Sequence, residues 1–286
     1  MRWRKARRSD NVVDARGRSG GMPAGRLSLA GVAIVVVVGL LSGQDPMQIL
    51  GQLAGQAEQT TAPRSEAPAS GDDPQVAFVQ AILGDTEDTW RALFQQSGER
   101  YRDPTLVLFR GGVNSACGFA SSAAGPFYCP GDQQVYLDLK FFDEMASRFS
   151  AAGDFAQAYV IAHEVGHHVQ TLTGISEQIN AARQRGARME GNNGLLVRQE
   201  LQADCFAGVW AHHAQQRLDW LEAGDLEEAL NAANAIGDDH LQQQSQGRVM
   251  PDAFTHGTSA QRVRWFRTGF DSGEPSRCDT FQAQQL

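Results

Sequence analysis

The chain has 286 residues, 42% of them hydrophobic and 20% charged, which fits one sizeable domain with appendages and excludes a wholly disordered protein. The net charge of −8 is unevenly spread: residues 1–26 carry eight Lys/Arg against Asp10 and Asp14, while the rest of the chain is strongly acidic. A basic arm on an acidic body invites a nucleic-acid reading, but no binding module accompanies the arm, so no nucleic-acid partner is expected.

After the arm, residues 27–43 (LSLAGVAIVVVVGLLSG) carry no charge. As a helix they would rise about 25 Å, enough for a short membrane span. Basic residues precede the stretch and acidic ones follow it. The positive-inside rule then makes residues 1–26 a cytoplasmic basic tail, with Trp3 and Arg2–Arg8 facing lipid, and 27–43 a transmembrane signal-anchor helix. A cleaved signal peptide and a buried core helix are the alternatives. The long leader and the missing Ala-x-Ala site weigh against the first, and the lack of a polar face weighs against the second. Residues 44–71, rich in Gln, Ala, Gly, Ser, Thr and Pro, read as a flexible linker, and 72–286 as an extracytoplasmic domain.

Within that domain two helices are predicted first, over 74–83 and 86–97, the second capped by Asp85. Strands follow at Thr105–Arg110 and Val135–Leu139, separated by a Gly/Ala/Ser-rich stretch. The second strand is a candidate edge against which an extended peptide could pair, although its alternation is equally that of a sheet strand with one solvated face, the reading favoured here. Helices are then predicted over 141–149, 154–172, 176–188, 195–217, 225–244 and 258–271. The acidic residues Asp225–Glu228 and Asp238–Asp239 read as solvated helix faces. The fold class is α+β, mostly helical with a small antiparallel β element. The four cysteines, Cys117, Cys129, Cys205 and Cys278, fit two disulfides in an oxidising compartment. Cys117 and Cys129 flank a local loop and pair most easily, which leaves Cys205 with Cys278; four buried free thiols are the alternative.

The chemistry concentrates in the helix predicted at 154–172, DFAQAYVIAHEVGHHVQTL, which Asp154 can cap. His163 and His167 stand four apart and project from one face, as two ligands of a single metal must. Glu164 lies about 100° around the helix from His163, placed to act on a metal-bound water without being a ligand. Two neutral nitrogen donors suit one Zn²⁺ ion. The third ligand is not the histidine of HExxHxxGxxH, because Gln170 and Thr173 occupy the positions of its glycine and histidine. Glu200 and Asp204, four apart in the apolar segment VRQELQADCFAG, supply a carboxylate ligand and a partner for a ligand imidazole. A surface Glu and Asp paired to Arg198 or nearby cations is the alternative.

HEVGHHVQ followed by ELQADCFAGVWAHHA, with SACGFASSAAGPFYCP and DQQVYLDLKFF before them, resembles the bacterial neutral zinc metallopeptidases, and the leader MRWRKARRSDNVVDARG is similar to theirs. The Glu-x-x-x-Asp spacing resembles the gluzincin peptidases, implying a zincin-like domain. His256-Gly-Thr-Ser-Ala-Gln-Arg262 resembles a later motif of their membrane members, with Gly in place of Pro. The resemblance implies a transition-state-stabilising His256 and a site-bracing Arg262; a loop histidine is the alternative for His256. The expectation is therefore a zinc endopeptidase of the bacterial cytoplasmic membrane, a single-pass protein whose Glu164 acts as general base on protein or peptide substrates outside it. A zinc-stabilised peptide- or envelope-binding protein is the alternative.

Overall fold

Asp73 and Pro74 start the first helix: the Asp73 carboxylate accepts the Gln75 N–H, and Pro74 sits in the first turn, where no backbone donor is needed. The computed structural model describes residues 1–17, 73–148 and 153–286, which belong to one compact unit. The apolar stretch 27–43 and the linker 44–71 lie outside the described residues, and among those described no helix is long and apolar enough to cross a membrane.

Helix α1 runs unbroken over Pro74–Gln96, where the sequence suggested two helices. Asp85 is no cap: it is buried in mid-helix and accepts hydrogen bonds from Trp210 Nε1 at 2.8 Å and Arg217 Nη2 at 2.5 Å. Gly84 makes room for the N-terminal segment, since a Cβ there would lie 2.7 Å from the Arg7 carbonyl oxygen.

The strands are β1 (Val12–Asp14), β2 (Thr105–Phe109), β3 (Gly112–Ser115), β4 (Gly118–Ser121), β5 (Phe127–Cys129) and β6 (Gln134–Asp138). They form a four-stranded sheet in the order β1-β2-β6-β5 and a separate hairpin of β3 and β4. The expected antiparallel element is found only in part. β1 with β2 and β2 with β6 are parallel, while β5 with β6 and the hairpin are antiparallel. Alternation along Val135–Leu139 fitted an edge strand or a sheet strand with one solvated face, but β6 is interior, with Tyr136 and Asp138 both buried. Asp138 accepts from the Gly111 and Lys140 N–H groups and so is polar without being solvated.

The N-terminal residues depart most from expectation. Residues 1–17 are not a separate tail, because β1 is a strand of the sheet. Fully buried Glu87 accepts from Arg7 Nη2 at 2.6 Å, Ser9 Oγ at 2.5 Å and Asn11 Nδ2 at 2.8 Å. Trp3 packs edge-on against Phe78 and donates to Asp154, so it faces protein. Arg16 pairs with Asp14 at 2.7 Å and Asp73 at 2.8 Å. Part of the positive charge that suggested membrane orientation thus complements the acidic body.

The remaining helices are α2 (Lys140–Arg148), α3 (Asp154–Leu172), α4 (Ile175–Gln184), α5 (Leu195–Leu218), α6 (Asp225–Ala235), α7 (Asp238–Gln246) and α8 (Ser259–Ser272). The predicted helix at 225–244 breaks in two at Ile236-Gly237. Gly153, not Asp154, is the cap position of α3, and Glu228 accepts the Phe155 N–H there. Two close helix contacts position the site. A Cβ on Gly166 would lie 3.0 Å from the Ala203 carbonyl oxygen, which brings α3 against α5. A Cβ on Gly269 would collide with the Cys205 carbonyl oxygen, so α8 lies directly on α5. The disulfides are Cys117–Cys129 and Cys205–Cys278, the second holding the C-terminal turn Pro275–Cys278 to α5.

Candidate metal centre

Helices α3 and α5 bring together His163, His167 and Glu200, whose candidate ligand atoms all lie within 4.8 Å of one another. Glu200 Oε2 is 3.2 Å from His163 Nε2, and its Oε1 is 3.5 Å from His167 Nε2. Both imidazoles turn Nε2 toward one carboxylate because their Nδ1 atoms are already engaged. His163 Nδ1 donates to Asp204 Oδ1 at 2.8 Å, and His167 Nδ1 lies 3.0 Å from Gln170 Oε1. Two nitrogen donors and one carboxylate oxygen on a common point fit a tetrahedral zinc ion with one position open.

Asp204 is fully buried and fully occupied. Besides His163, it accepts from Arg262 Nε at 3.0 Å, Arg262 Nη2 at 2.9 Å and the Tyr159 hydroxyl at 2.5 Å. Arg262, on α8, is itself buried and pairs with this carboxylate one turn beyond Glu200. Tyr159, which no motif singled out, closes the network by accepting from Arg262 Nη2 at 3.2 Å.

Electrostatics follow from this packing. Burial disfavours a charged His163, but Asp204 and Glu200 outweigh it and raise its pKa to about 10. Burial likewise opposes ionised Asp204 and Glu200, yet Arg262 and His163 lower the first, and His167 with His163 pull the second well below the carboxylate range. In the metal-free protein, protons on the imidazoles therefore supply the positive charge the carboxylates require. Zinc uptake must displace them, so its affinity is expected to rise by about tenfold per pH unit for each proton released. Zinc titrations against a chelator at about pH 6 and pH 8 check this, and a flat profile would contradict it. The sign for the metal-free fold is opposite. The His163 contribution to stability is full below its ordinary value of 6.5 and is lost as pH rises through about 10.

Glu164 is 8% exposed, has no hydrogen-bond partner among the described residues, and lines the same cavity of about 580 Å³ as the ligand trio. His256 lines that cavity too. Its Nδ1 is held by Asp238 Oδ1 at 3.2 Å and Thr255 Oγ1 at 2.9 Å, leaving Nε2 available. Burial disfavours its charge, but Asp238 and Glu200 raise its pKa. The assignment of Asp238–Asp239 to a solvated helix face does not hold. Buried Asp238 accepts the backbone N–H groups of Thr255, His256 and Gly257, and Asp239 accepts that of Ser259. Asp225 is buried as well. No local pattern announces Asp238, because its partners lie 17–19 residues away. His168 points away from the trio and is buried, with Nε2 2.6 Å from the Arg102 carbonyl and Nδ1 3.1 Å from the Tyr128 hydroxyl.

Comparison with known proteins agrees with this geometry. Residues 1–281 match the family described as "putative neutral zinc metallopeptidase". The chain is 51% identical to the uncharacterized protein YpfJ of Escherichia coli (strain K12) over 98% of this chain and 99% of the relative. It is 41% identical to the uncharacterized proteins Mb2605 of Mycobacterium bovis and Rv2575 of Mycobacterium tuberculosis, over 86% of each chain. No solved structure matches. With the paired His-Glu motif in place and the match running over nearly its whole length, this chain belongs to the neutral zinc metallopeptidase family.

Proposed function

We propose that this protein is a zinc-dependent peptidase in which His163, His167 and Glu200 hold one zinc ion and Glu164 is the general base. The observation that carries the reading is the convergence of the three ligand atoms in one cavity, beside a buried carboxylate, Glu164, that makes no hydrogen bond among the described residues. Bound zinc would supply Lewis acidity to the scissile carbonyl and to water. Glu164 accepts a proton from the attacking water and returns it to the leaving amine nitrogen. Protonated His256, steadied by Asp238, donates from Nε2 to the developing oxyanion. Arg262 and Tyr159 keep Asp204 ionised, and Asp204 keeps the His163 proton on Nδ1 and its lone pair on Nε2.

The substrate is a peptide in extended form. Strand β5 has β6 on one side and no strand on the other among the described residues, and Phe127 and Tyr128 line the cavity. An extended segment can pair with that free edge through backbone hydrogen bonds, which favours broad sequence tolerance. Glu200→Ala and His163→Ala test the ligand set. Each is expected to weaken zinc binding by more than the about 10–100-fold that loss of an outer partner costs. Stoichiometric zinc in Glu200→Ala, measured by metal analysis, would sink the assignment.

We also propose an extracytoplasmic location, supported by the two disulfides. In this reading residues 1–17 share that compartment, because β1 pairs with β2 and Arg16 with Asp73. Both flanks of the apolar stretch then lie on one side of any bilayer it enters. A cysteine placed at exposed Asp10 (Asp10→Cys) is expected to react with a membrane-impermeant thiol reagent on cells with an intact inner membrane. Protection until that membrane is permeabilised would refute the shared location.

A further inference from the structure

The two imidazoles of the centre are oriented by different chemistry. His163 leans on a carboxylate, whereas His167 leans on the neutral side-chain amide of Gln170, which is fully buried one turn along the same helix. An amide can face either way, so by itself it leaves the imidazole tautomer undetermined. Here its surroundings decide. Gln170 Nε2 lies 2.7 Å from the Gln199 carbonyl oxygen and 3.0 Å from Gln202 Oε1. Gln202 Nε2 in turn lies 3.0 Å from the Cys278 carbonyl oxygen.

The two backbone carbonyls can only accept. The Cys278 oxygen therefore requires the Gln202 nitrogen to face it, which turns Gln202 Oε1 toward Gln170. That oxygen and the Gln199 carbonyl both require the Gln170 nitrogen, which turns Gln170 Oε1 toward His167. His167 Nδ1 must then keep its proton, so the proton that zinc uptake displaces is the one on Nε2, and the lone pair it leaves lies on the Glu200 side. The Cys205–Cys278 disulfide holds the end of this chain in place, because Cys205 lies three residues beyond Gln202 on α5.

We propose that Gln170 is the positioning residue of His167, and that the Gln170–Gln202–Cys278 hydrogen-bond chain sets the tautomer in which His167 offers Nε2 to the metal. The inference rests on the zinc reading above and deepens it. It also gives Gln170, which stands where a different zinc motif has glycine, a task at the site itself.

Gln170→Met keeps the volume and unbranched shape of the side chain while removing the acceptor. It is expected to weaken zinc affinity by about 10–100-fold. General loosening of the helix would also lower affinity, so the deciding readout is the imidazole itself. In the zinc-loaded, nitrogen-15-labelled protein, the His167 Nδ1–H resonance is expected to be protected from exchange. In Gln170→Met it should lose that protection, with the His163 Nδ1–H signal unmoved. Gln202→Met, one link further out, should shift the His167 signal in the same direction by less. Unchanged His167 protection and affinity in Gln170→Met, with the parent binding zinc normally, would overturn this inference alone. Equal perturbation of His163 and His167 would overturn it in favour of a merely structural glutamine. A parent protein that binds no zinc would overturn both this inference and the reading beneath it.

Discussion

Replacing Glu164 by Gln is expected to leave zinc binding at the parental level and to cut peptide hydrolysis by about 10²–10⁴-fold. The substitution isolates the base because Glu164 stands outside the ligand trio and makes no hydrogen bond to another described residue. Neither a ligand nor a structural partner is lost. The amide has the same shape and almost the same volume, so the cavity that Glu164 lines is preserved. What disappears is an oxygen able to take a proton from water. Zinc content by elemental analysis and cleavage of an unstructured protein or fluorogenic peptide are the two measurements. A zinc-stabilised binding protein would be indifferent to the change. Parental hydrolysis in Glu164→Gln would remove the residue from the reaction.

Arg262→Met should produce the largest loss of stability of any single change considered, about 3–5 kcal/mol. The guanidinium is 2% exposed and the Asp204 carboxylate it binds is completely buried. Without Arg262 that carboxylate keeps, among the described residues, only Tyr159 and His163 as partners in an environment that disfavours its charge. A buried ion stripped of its counter-ion is far costlier than the same pair replaced as a unit. The double variant Arg262→Met/Asp204→Asn is therefore expected to be more stable than Arg262→Met alone. Denaturant unfolding of the metal-free proteins measures both effects. A loss below about 1 kcal/mol in the single variant, the range of an exposed ion pair, would contradict the buried role. The double variant should still bind zinc poorly, because an amide at 204 no longer supplies the charge that holds the His163 proton on Nδ1.

Local chemistry made much of this protein legible before any fold was known. His163, Glu164 and His167 declare themselves because one helix carries all three, and helical periodicity relates their directions without tertiary information. Glu200 and Asp204 follow from the same rule applied to α5, where two carboxylates in an apolar segment demanded partners. The bounds of α3, predicted at 154–172, coincide with Asp154–Leu172, although Gly153 rather than Asp154 takes the cap position. Where local signals compete with distant partners, the reading failed. Asp85 read as the cap of a second helix, yet it and the adjacent Gly84 are both consumed by long-range contacts, to Trp210 with Arg217 and to Arg7. The basic leader was assigned to a membrane surface because clustered charge is the usual signal for that. Its partners, Glu87 in α1 and Asp73 at the start of it, lie far along the chain and cannot be seen from the leader itself.

By itself, then, the order of residues determined the helix that carries the His-Glu motif, the candidate ligand types and the spacing that puts two imidazoles on one face. Those properties depend on neighbours within a turn or two. Only the tertiary structure decided that β1 joins a parallel sheet, that Asp238 holds the His256 loop, and that Gln170 faces His167 with its oxygen. Each of these is a choice among chemically equivalent pairings, and the choice is made by whichever buried donor or acceptor the packed chain leaves without another partner.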